Sequence, residues 1–307
     1  MSVNSSVTVS VPATTANLGA GFDCIGAALT LHNEFKFTLI DGETQIIVTG
    51  SEAARVDTIY KDNLLYCAYV KLYEHLGKTP PPVKIEIGLG VPLARGLGSS
   101  ATAIVGGLVG ANILAGEPLT QSQVMELAIS MEGHPDNVVP ALIGGCRLAA
   151  TGVNGWEICD IPWHESIVPV VAIPDFELST KEARRVLPTE ISRADAIFNI
   201  SHLGLLLRAL ETGKTNWLQA ALQDKLHQPY RKSLIQGYDE VSAAAINAGA
   251  YGMVISGAGP TLLALTDTSD SIDVVAAMAT AWKDVGVAAQ VRALNIDNNG
   301  ARINIER

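Results

Sequence analysis

The sequence is poor in charged and aromatic residues, and this shortage excludes whole classes of protein. Charged residues make up 17% and aromatic residues 5% of the 307 residues, whereas 48% are hydrophobic. A disordered chain would be rich in charge and poor in aliphatic residues, so this chain has to fold around an aliphatic core. The formal net charge is −10 at pH 7. Nucleic acids and anionic membranes attract basic surfaces, so we expect neither as a partner.

Long apolar runs and paired cysteines are also missing. The longest weakly polar run, residues 101–116, is shorter than the ~20 residues that span a bilayer. The N-terminus has no basic segment followed by an apolar block, so no signal peptide is visible. The four cysteines form neither a CxxC pair nor a metal-binding spacing. We therefore predict a cytoplasmic protein with reduced thiols.

The hydrophobic pattern predicts an α+β fold of two lobes. Period-two alternation predicts short strands, and apolar residues at helical spacing predict helices between them. The elements do not follow the regular βα repeat of a barrel. A change of pattern near Pro162 gives predicted domains of 1–160 and 161–307, with no flexible linker between them, so the lobes should pack tightly. The predicted helices are 63–76, 99–114, 120–131, 192–210, 216–226, 231–248 and 271–285.

The most informative segment is a glycine-rich loop that runs directly into a predicted helix. It reads VPLARGLGSSAT over residues 91–102. Gly96 and Gly98 permit backbone conformations that other residues avoid, and Ser99 and Ser100 open the helix. A helix start presents unpaired N–H groups and a partial positive charge, which suit a phosphate group. The loop has neither the GK[ST] ending of a Walker A motif nor the GxGxxG pattern, so these residues alone also fit a serine-capped turn.

Three motifs, in order along the chain, provide a family context for this loop. They are PATTANLGAGFDC at 12–24, the loop at 91–102, and SGAGPT at 256–261. Together they resemble the GHMP kinases, the family of galactokinase and of homoserine, mevalonate and phosphomevalonate kinases. The resemblance covers nearly the whole chain. It implies a two-lobed GHMP kinase fold, with an N-terminal ATP-binding lobe and a C-terminal ferredoxin-like α/β sandwich lobe.

Other segments narrow the resemblance to the homoserine kinases. Sugar and mevalonate kinases of the family carry a basic residue, and often GEH, where this chain has TANLGAGFD. EGHPDNVVP at 132–140, STKEARRVLP at 179–188 and QPYR at 228–231 also agree with homoserine kinases. The resemblance implies ATP-dependent phosphorylation of the L-homoserine hydroxyl to O-phospho-L-homoserine, in threonine biosynthesis. It also implies ATP and Mg²⁺ as cofactors and a homodimer as the assembly.

The resemblance assigns roles to individual residues. Ser100 and Glu126 would hold the metal, and Asp23 and Asn137 would act in catalysis. The residues expected to bind the ATP phosphates are Pro92, Leu93, Ala94, Arg95, Gly96, Leu97, Gly98, Ser99, Ser100, Ala101 and Thr102. The residues expected to bind the substrate are Asn17, Asp23, His134, Asn137, Thr180, Arg184 and Arg231.

The chemistry of these residue types supports some roles more than others. Arg184 and Arg231 would grip the substrate carboxylate, because a guanidinium matches it with two parallel hydrogen bonds. Asn137 stands where several relatives have a catalytic Asp, and an amide cannot act as a general base. We therefore predict catalysis by alignment and electrostatic stabilisation, with the hydroxyl proton lost late to a phosphate oxygen. On its own, Glu126 also fits a solvated helix acid, and His134 a structural histidine.

Two other functions remain open at this stage. One is a GHMP kinase for an isoprenoid or shikimate-type alcohol, although such alcohols lack the charged amine and carboxylate of homoserine. The other is a non-catalytic ligand-binding relative. Loss of the phosphate loop or of the metal acid would indicate it, but Gly96, Gly98, Ser100 and Glu126 are all present.

Overall fold

Two β-sheets organise the computed structural model, which describes residues 5–50, 52–153 and 155–304. The outer ends of the two predicted domains, 1–4 and 305–307, lie outside the described residues. The strands are β1 (Ser6–Ala16), β2 (Ile25–Leu39), β3 (Gln45–Thr49), β4 (Val83–Gly88), β5 (Cys146–Gly152), β6 (Gly155–Ile161), β7 (Val168–Pro174), β8 (Gly252–Ile255), β9 (Leu262–Thr266), β10 (Ala289–Ala293) and β11 (Arg302–Asn304). The α-helices are α1 (Leu64–His75), α2 (Ser99–Leu114), α3 (Gln121–Glu132), α4 (Pro135–Ile143), α5 (Thr180–Arg185), α6 (Arg193–Thr212), α7 (Thr215–Ala221), α8 (Gln228–Arg231), α9 (Tyr238–Asn247) and α10 (Ser271–Asp284).

The first sheet supports the glycine-rich loop. Five of its seven strands follow the order β11-β1-β2-β4-β3. The other two form a hairpin, in which β5 pairs with the N-terminal half of β2 and β6 pairs with β5. Val83, Ile85 and Ile87 alternate inward on β4, as period-two patterning predicts. The sequence pattern missed the N-terminal half of β2, because residues 25–29 are all buried and leave no alternation to detect.

Helix α2 is almost completely buried, and glycine makes its close packing possible. Nearly every residue from Ala101 to Leu114 is buried. A Cβ atom on Gly107 would lie 2.3 Å from the carbonyl oxygen of Leu65 and 2.7 Å from the Cβ of Ala68, both on α1. The absence of a side chain lets α1 and α2 approach each other, and this contact holds the start of α2 in place.

This packing predicts a large effect on stability. Gly107→Val should lower the free energy of unfolding by about 3 kcal/mol, because the backbone carbonyl of Leu65 cannot move out of the way. Urea denaturation would measure the change. The matched control is Gly204→Ala on α6, where a new Cβ meets nothing within 4 Å. The control should gain about 0.5–1 kcal/mol from the greater helix propensity of alanine. Equal stabilities for the two variants would contradict this account of the packing.

The second sheet has the predicted ferredoxin-like topology. Its four antiparallel strands follow the order β10-β7-β9-β8. In chain order these are the fourth, first, third and second strands of the lobe. Helices separate β7 from β8 and β9 from β10, which gives the split βαβ arrangement of this fold. One buried cluster contains residues of both halves, including Leu29 and Leu263, so the lobes pack tightly as predicted.

The structure differs from two predicted helix bounds and adds a strand pairing at the C-terminus. The predicted helix 216–226 ends at Ala221. The predicted helix 231–248 is interrupted, because Gly237 takes a left-handed conformation with a φ of 76° and α9 begins only after it. The C-terminal segment of the predicted second domain returns to the first sheet, where Asn304 pairs with Thr8. Within the described part of the chain, no helix is long and apolar enough to cross a membrane.

Candidate active site

A cavity of about 500 Å³ lies at the start of α2, where the two lobes meet. The glycine-rich loop, the last turn of α3, the start of α4 and the start of α5 all contribute to its wall. The cavity combines a polar part with an apolar wall. The apolar wall contains Phe35, Val56, Leu64, Leu65, Ile87 and Leu89.

Only part of the glycine-rich loop faces this cavity. Of the eleven residues expected to bind phosphate, those that line the cavity are Leu93, Ala94, Gly96, Gly98, Ser99 and Ser100. Leu97 and Ala101 are buried in the two hydrophobic clusters, and Thr102 is buried beneath the helix start. Pro92 and Arg95 line a second, smaller cavity.

The Arg95 side chain is directed away from the larger cavity, and its predicted part in phosphate binding stays a prediction. Its side chain is buried, and its guanidinium donates hydrogen bonds to the carbonyl oxygens of Leu93, Pro174 and Asp175 at 2.7–2.9 Å. These bonds tie the loop to β7 and to the residue after it. Arg95 thus holds the loop against the second lobe, whereas Gly98, Ser99 and Ser100 at the start of α2 line the larger cavity.

Gly98 is required by the protein's own packing. It has a φ of 66°, and a Cβ atom there would lie only 1.9 Å from Oγ1 of Thr14. The Thr14 hydroxyl in turn donates to Oδ1 of Asn137 at 2.8 Å. A side chain at position 98 would displace Thr14 and with it the Asn137 amide. The glycine therefore positions the catalytic amide that the resemblance assigned, as well as the loop.

The carboxylate that meets Ser100 belongs to Glu132. The Ser100 hydroxyl donates to Oε2 of Glu132 at 2.8 Å, and both residues line the cavity. Glu126 is exposed on α3 and faces Gly155 of the β5–β6 hairpin. The metal-binding role expected of Glu126 stays a prediction, but the Ser100 hydroxyl bonds to Glu132 and not to Glu126, because α2 and α3 form a helical hairpin. This brings the last turn of α3, rather than its middle, to the first turn of α2.

A strained turn, residues 17–23, forms the polar part of the cavity, and we call it the substrate turn. Asn17, Leu18 and Asp23 have φ angles of 75°, 45° and 56°, a left-handed backbone conformation that residues other than glycine rarely adopt. The Asn17 amide donates to the carbonyl of Gly257 at 2.7 Å and accepts from the backbone N–H of Asp23 at 2.9 Å. Asn17 thus connects the substrate turn of the first lobe to the glycine-containing turn at 256–261 of the second lobe.

Asp23 and Arg184 form an ion pair at the cavity wall. Both guanidinium Nη atoms of Arg184 donate to the Asp23 carboxylate, at 3.0 and 2.8 Å. The hydrogen bond to Asp23 raises the pKa of Arg184. Thr180 lines the same wall from the first turn of α5. Arg185, one residue further along α5, is exposed and lies outside the lining of the cavity.

Arg231 is a buried cation with no acidic partner. Its side chain lines the cavity, and the residue is only 2% exposed. Nε donates to the carbonyl of Ala183 at 3.2 Å, and Nη1 donates to the carbonyl of Gly257 at 3.0 Å. Among the described residues no carboxylate lies within ion-pair distance of it. Burial and the neighbouring Arg184 lower the pKa of Arg231 to about 10, so it stays charged at neutral pH.

His134 and Asn137 complete the polar part at the start of α4. Nδ1 of His134 donates to Oδ1 of Asp136 at 2.6 Å, and this hydrogen bond raises the pKa of His134 against the opposing effect of burial. Asp136 is 3% exposed and lines the cavity. Because the Asn137 amide oxygen already accepts from Thr14, Asn137 is fixed in place.

Comparison with known proteins decides the family. Residues 63–145 match the model of the GHMP kinases N terminal domain, and residues 206–284 match that of GHMP kinases C terminal. The chain is 74% identical to homoserine kinase of Microchaete diplosiphon, over 98% of both chains. It is 72% identical to homoserine kinase of Trichormus variabilis, over 98% of this chain and all of the relative.

The chain belongs to the homoserine kinases of the GHMP kinase family. A crystal structure of homoserine kinase from Cytophaga hutchinsonii is 29% identical, covers 99% of each chain and superposes with a TM-score of 0.89. Mevalonate kinase of L. major is only 16% identical and shares the fold, with a TM-score of 0.72 over 94% of each chain. The predicted two-lobed GHMP kinase fold is thereby confirmed. As a GHMP kinase, the chain uses ATP.

The structure reveals site residues of this homoserine kinase that sequence reasoning missed. Glu132 opens the EGHPDN segment that carried the resemblance, so a signal was present beside the residue chosen. Asp136 lies in the same segment, and its burial gave no sequence signal. The apolar wall could not be predicted from motifs, because its residues are scattered over β2, β4, α1 and neighbouring loops.

Proposed function

We propose that this chain transfers the γ-phosphoryl group of ATP to the side-chain hydroxyl of L-homoserine, forming O-phospho-L-homoserine for threonine biosynthesis. The observation that carries the proposal is the buried guanidinium of Arg231, which has no carboxylate within ion-pair distance among the described residues and lies in the cavity that also contains the glycine-rich helix start. A buried charge without a partner is costly, so a bound anion would stabilise it. The homoserine carboxylate is such an anion.

The Asp23–Arg184 pair is complementary to a zwitterion. An ammonium group would be attracted to Asp23 and a carboxylate to Arg184. The charged groups of homoserine would thus replace the ion pair that Asp23 and Arg184 form with each other. Alcohols without an amine offer no positive charge to Asp23. We therefore assign the carboxylate to Arg184 and Arg231 and the amine to Asp23, and we assign supporting contacts to His134 and Thr180. Asn17 holds the turn beneath them.

The residues around Ser100 fit a magnesium ion. Mg²⁺ prefers oxygen ligands and commonly takes only one or two from the protein, the rest coming from phosphates and water. The Ser100 hydroxyl and the Glu132 carboxylate are two such oxygens, 2.8 Å apart at the start of α2. The described residues contain no group of three or more acidic, histidine or cysteine side chains that would form an all-protein metal site. When bound there, Mg²⁺ would neutralise charge on the ATP phosphates.

We propose that the protein acts by placement and electrostatics, without a general base. The Asn137 amide cannot accept a proton, and its oxygen is engaged by Thr14. The backbone N–H groups of the first turn of α2 face the phosphates and stabilise charge that develops on them. Asp23, Arg184 and Arg231 hold homoserine so that its hydroxyl points at the γ-phosphorus. The hydroxyl proton then leaves late, to a phosphate oxygen.

An ATP-consumption assay with several alcohols tests the substrate. We expect the highest kcat/KM with L-homoserine and little turnover of mevalonate, shikimate or galactose. Two analogues refine the assignment, since 4-hydroxybutyrate lacks the amine and 3-aminopropanol lacks the carboxylate. Both should be poorer substrates than homoserine. Faster turnover of mevalonate, shikimate or galactose would overturn the proposed substrate.

We also propose a homodimer, supported by the resemblance that the sequence shows to the family. Light scattering of the purified protein measures its mass in solution directly. The mass of two chains is expected, and the mass of one chain across the working concentration range would contradict the proposal.

A further inference from the structure

His227 lies between the substrate turn and Arg231 and contacts both. It is completely buried just before α8, four residues ahead of Arg231 and therefore about one helical turn away. Its ring stacks on Phe22 with centroids 4.9 Å apart. One ring nitrogen, Nε2, is 3.0 Å from the carbonyl oxygen of Gly19, and the other, Nδ1, is 3.4 Å from Nη1 of Arg231.

The surroundings of His227 dictate its protonation. The Gly19 carbonyl and the Asp224 carboxylate, which is 3.6 Å away, both face Nε2 and can only accept, so Nε2 carries the proton. Arg231 can only donate, so Nδ1 must keep its lone pair. Burial, together with a smaller effect of Arg231, lowers the pKa of His227 to about 4 against the opposing effects of Asp224, the Gly19 carbonyl and Asp23. The ring is therefore neutral at physiological pH.

The start of α8 is held rigidly beneath this histidine. Asp224 accepts hydrogen bonds from the backbone N–H groups of Leu226, His227 and Gln228, at 2.7–2.9 Å. The buried Asn199 amide donates to the same carboxylate at 2.8 Å. His227 thus projects from a fixed backbone, and its two nitrogens transmit that position to the groups they contact.

We propose that His227 is a positioning residue for the substrate, acting through Arg231 and the substrate turn. Its Nδ1 orients the Arg231 guanidinium, so that Nη2, which has no hydrogen-bond partner among the described residues, points to the substrate carboxylate. Its Nε2–H holds the Gly19 carbonyl and with it the turn that carries Asp23. The inference rests on the proposed function and adds a residue that fixes the spacing between the carboxylate and amine contacts.

Three substitutions at position 227 distinguish the roles of the two ring nitrogens. Asparagine at position 227 would place an oxygen near the Nδ1 position, glutamine would place a donor near the Nε2 position, and phenylalanine would keep only the stacked ring. We expect His227→Phe to raise the homoserine KM about tenfold or more, the effect of losing one or two buried hydrogen bonds. The ATP KM and kcat should change little. His227→Asn should recover part of the loss, and His227→Gln should recover less.

Each outcome decides the inference. Recovery by asparagine, with the KM change confined to homoserine, supports it. Recovery by glutamine alone would overturn the role of Nδ1, and an unchanged homoserine KM in all three folded variants would overturn the whole inference. Unchanged ATP KM and circular dichroism serve as the check on folding.

A measurement on the wild-type protein separates this inference from the proposed function. A two-bond ¹H–¹⁵N spectrum should show His227 as the neutral Nε2–H tautomer at neutral pH. A doubly protonated ring, or the Nδ1–H tautomer, would overturn the inference whatever the enzyme phosphorylates. Failure of the wild type to phosphorylate homoserine would instead overturn the proposed function and leave the tautomer result standing.

Discussion

Replacing Arg231 with alanine is expected to raise the homoserine KM by about 10- to 10³-fold, a few kcal/mol of lost charged hydrogen bonding. Homoserine is small, so its affinity has to come from a few strong contacts. The net charge of −10 would otherwise repel its carboxylate. The ATP KM should stay nearly constant, because in the proposed arrangement the helix start and a bound Mg²⁺ would hold the phosphates. Steady-state kinetics with each substrate varied separately measures both values.

Neighbouring arginines supply the comparison and the control. Arg184→Ala should also raise the homoserine KM, though less than Arg231→Ala, because Arg184 is more exposed and already paired with Asp23. Arg231→Lys should rescue only partly, since an ammonium group lacks the guanidinium fork. Arg185→Ala, outside the cavity, should behave like wild type. If none of the arginines affects homoserine, the carboxylate site is wrong and an uncharged alcohol becomes the better substrate.

Replacing Glu132 with glutamine is expected to lower activity by about 10²-fold or more, the scale of losing one strong electrostatic interaction in the transition state. The amide keeps the shape of the side chain and removes its negative charge. A higher Mg²⁺ concentration should recover part of the activity, because the remaining ligands bind the ion more weakly. Activity measured across a Mg²⁺ titration gives both quantities.

Glu126→Gln is the matched control for this experiment. Glu126 lies on the same helix, but it is exposed and faces the β5–β6 hairpin. It should keep wild-type activity and wild-type Mg²⁺ dependence. The opposite result, with Glu126 essential and Glu132 dispensable, would restore the original pairing of Glu126 with Ser100 and reject the geometry of the α2–α3 hairpin.

Features encoded by adjacent residues could be predicted well. The start of α2 at Ser99 follows from the glycines before it, and the predicted helix 99–114 has the bounds that the structure shows. The predicted helix 120–131 likewise begins at Thr120, which caps α3 and forms a capping box with Gln123. The three ordered motifs identified the family, because each motif is a contiguous stretch whose backbone serves the site directly.

Features that depend on two distant elements could not be predicted in this way. The hydrophobic periodicity of α3 does not indicate which of its glutamates contacts Ser100, because that depends on how the hairpin brings the helix ends together. Arg95 lies in a motif typical of phosphate binding, but its guanidinium donates to the carbonyl groups of Pro174 and Asp175 and therefore does not face the cavity. The return of β11 to the first sheet gave no pattern, because the strand has only three residues, all exposed.

The sequence by itself determined the α+β class, the family and some of the residues that meet in the cavity. Tertiary structure decided how those residues are paired, and the physical reason is electrostatic and steric. Asp23 pairs with Arg184 across 161 positions, and Arg231 remains without an acid in the described chain. His227 is neutral at physiological pH because burial, with a smaller effect of Arg231, lowers its pKa. Charge, burial and partner choice arise from packing distant segments against one another, and no local pattern carries that information.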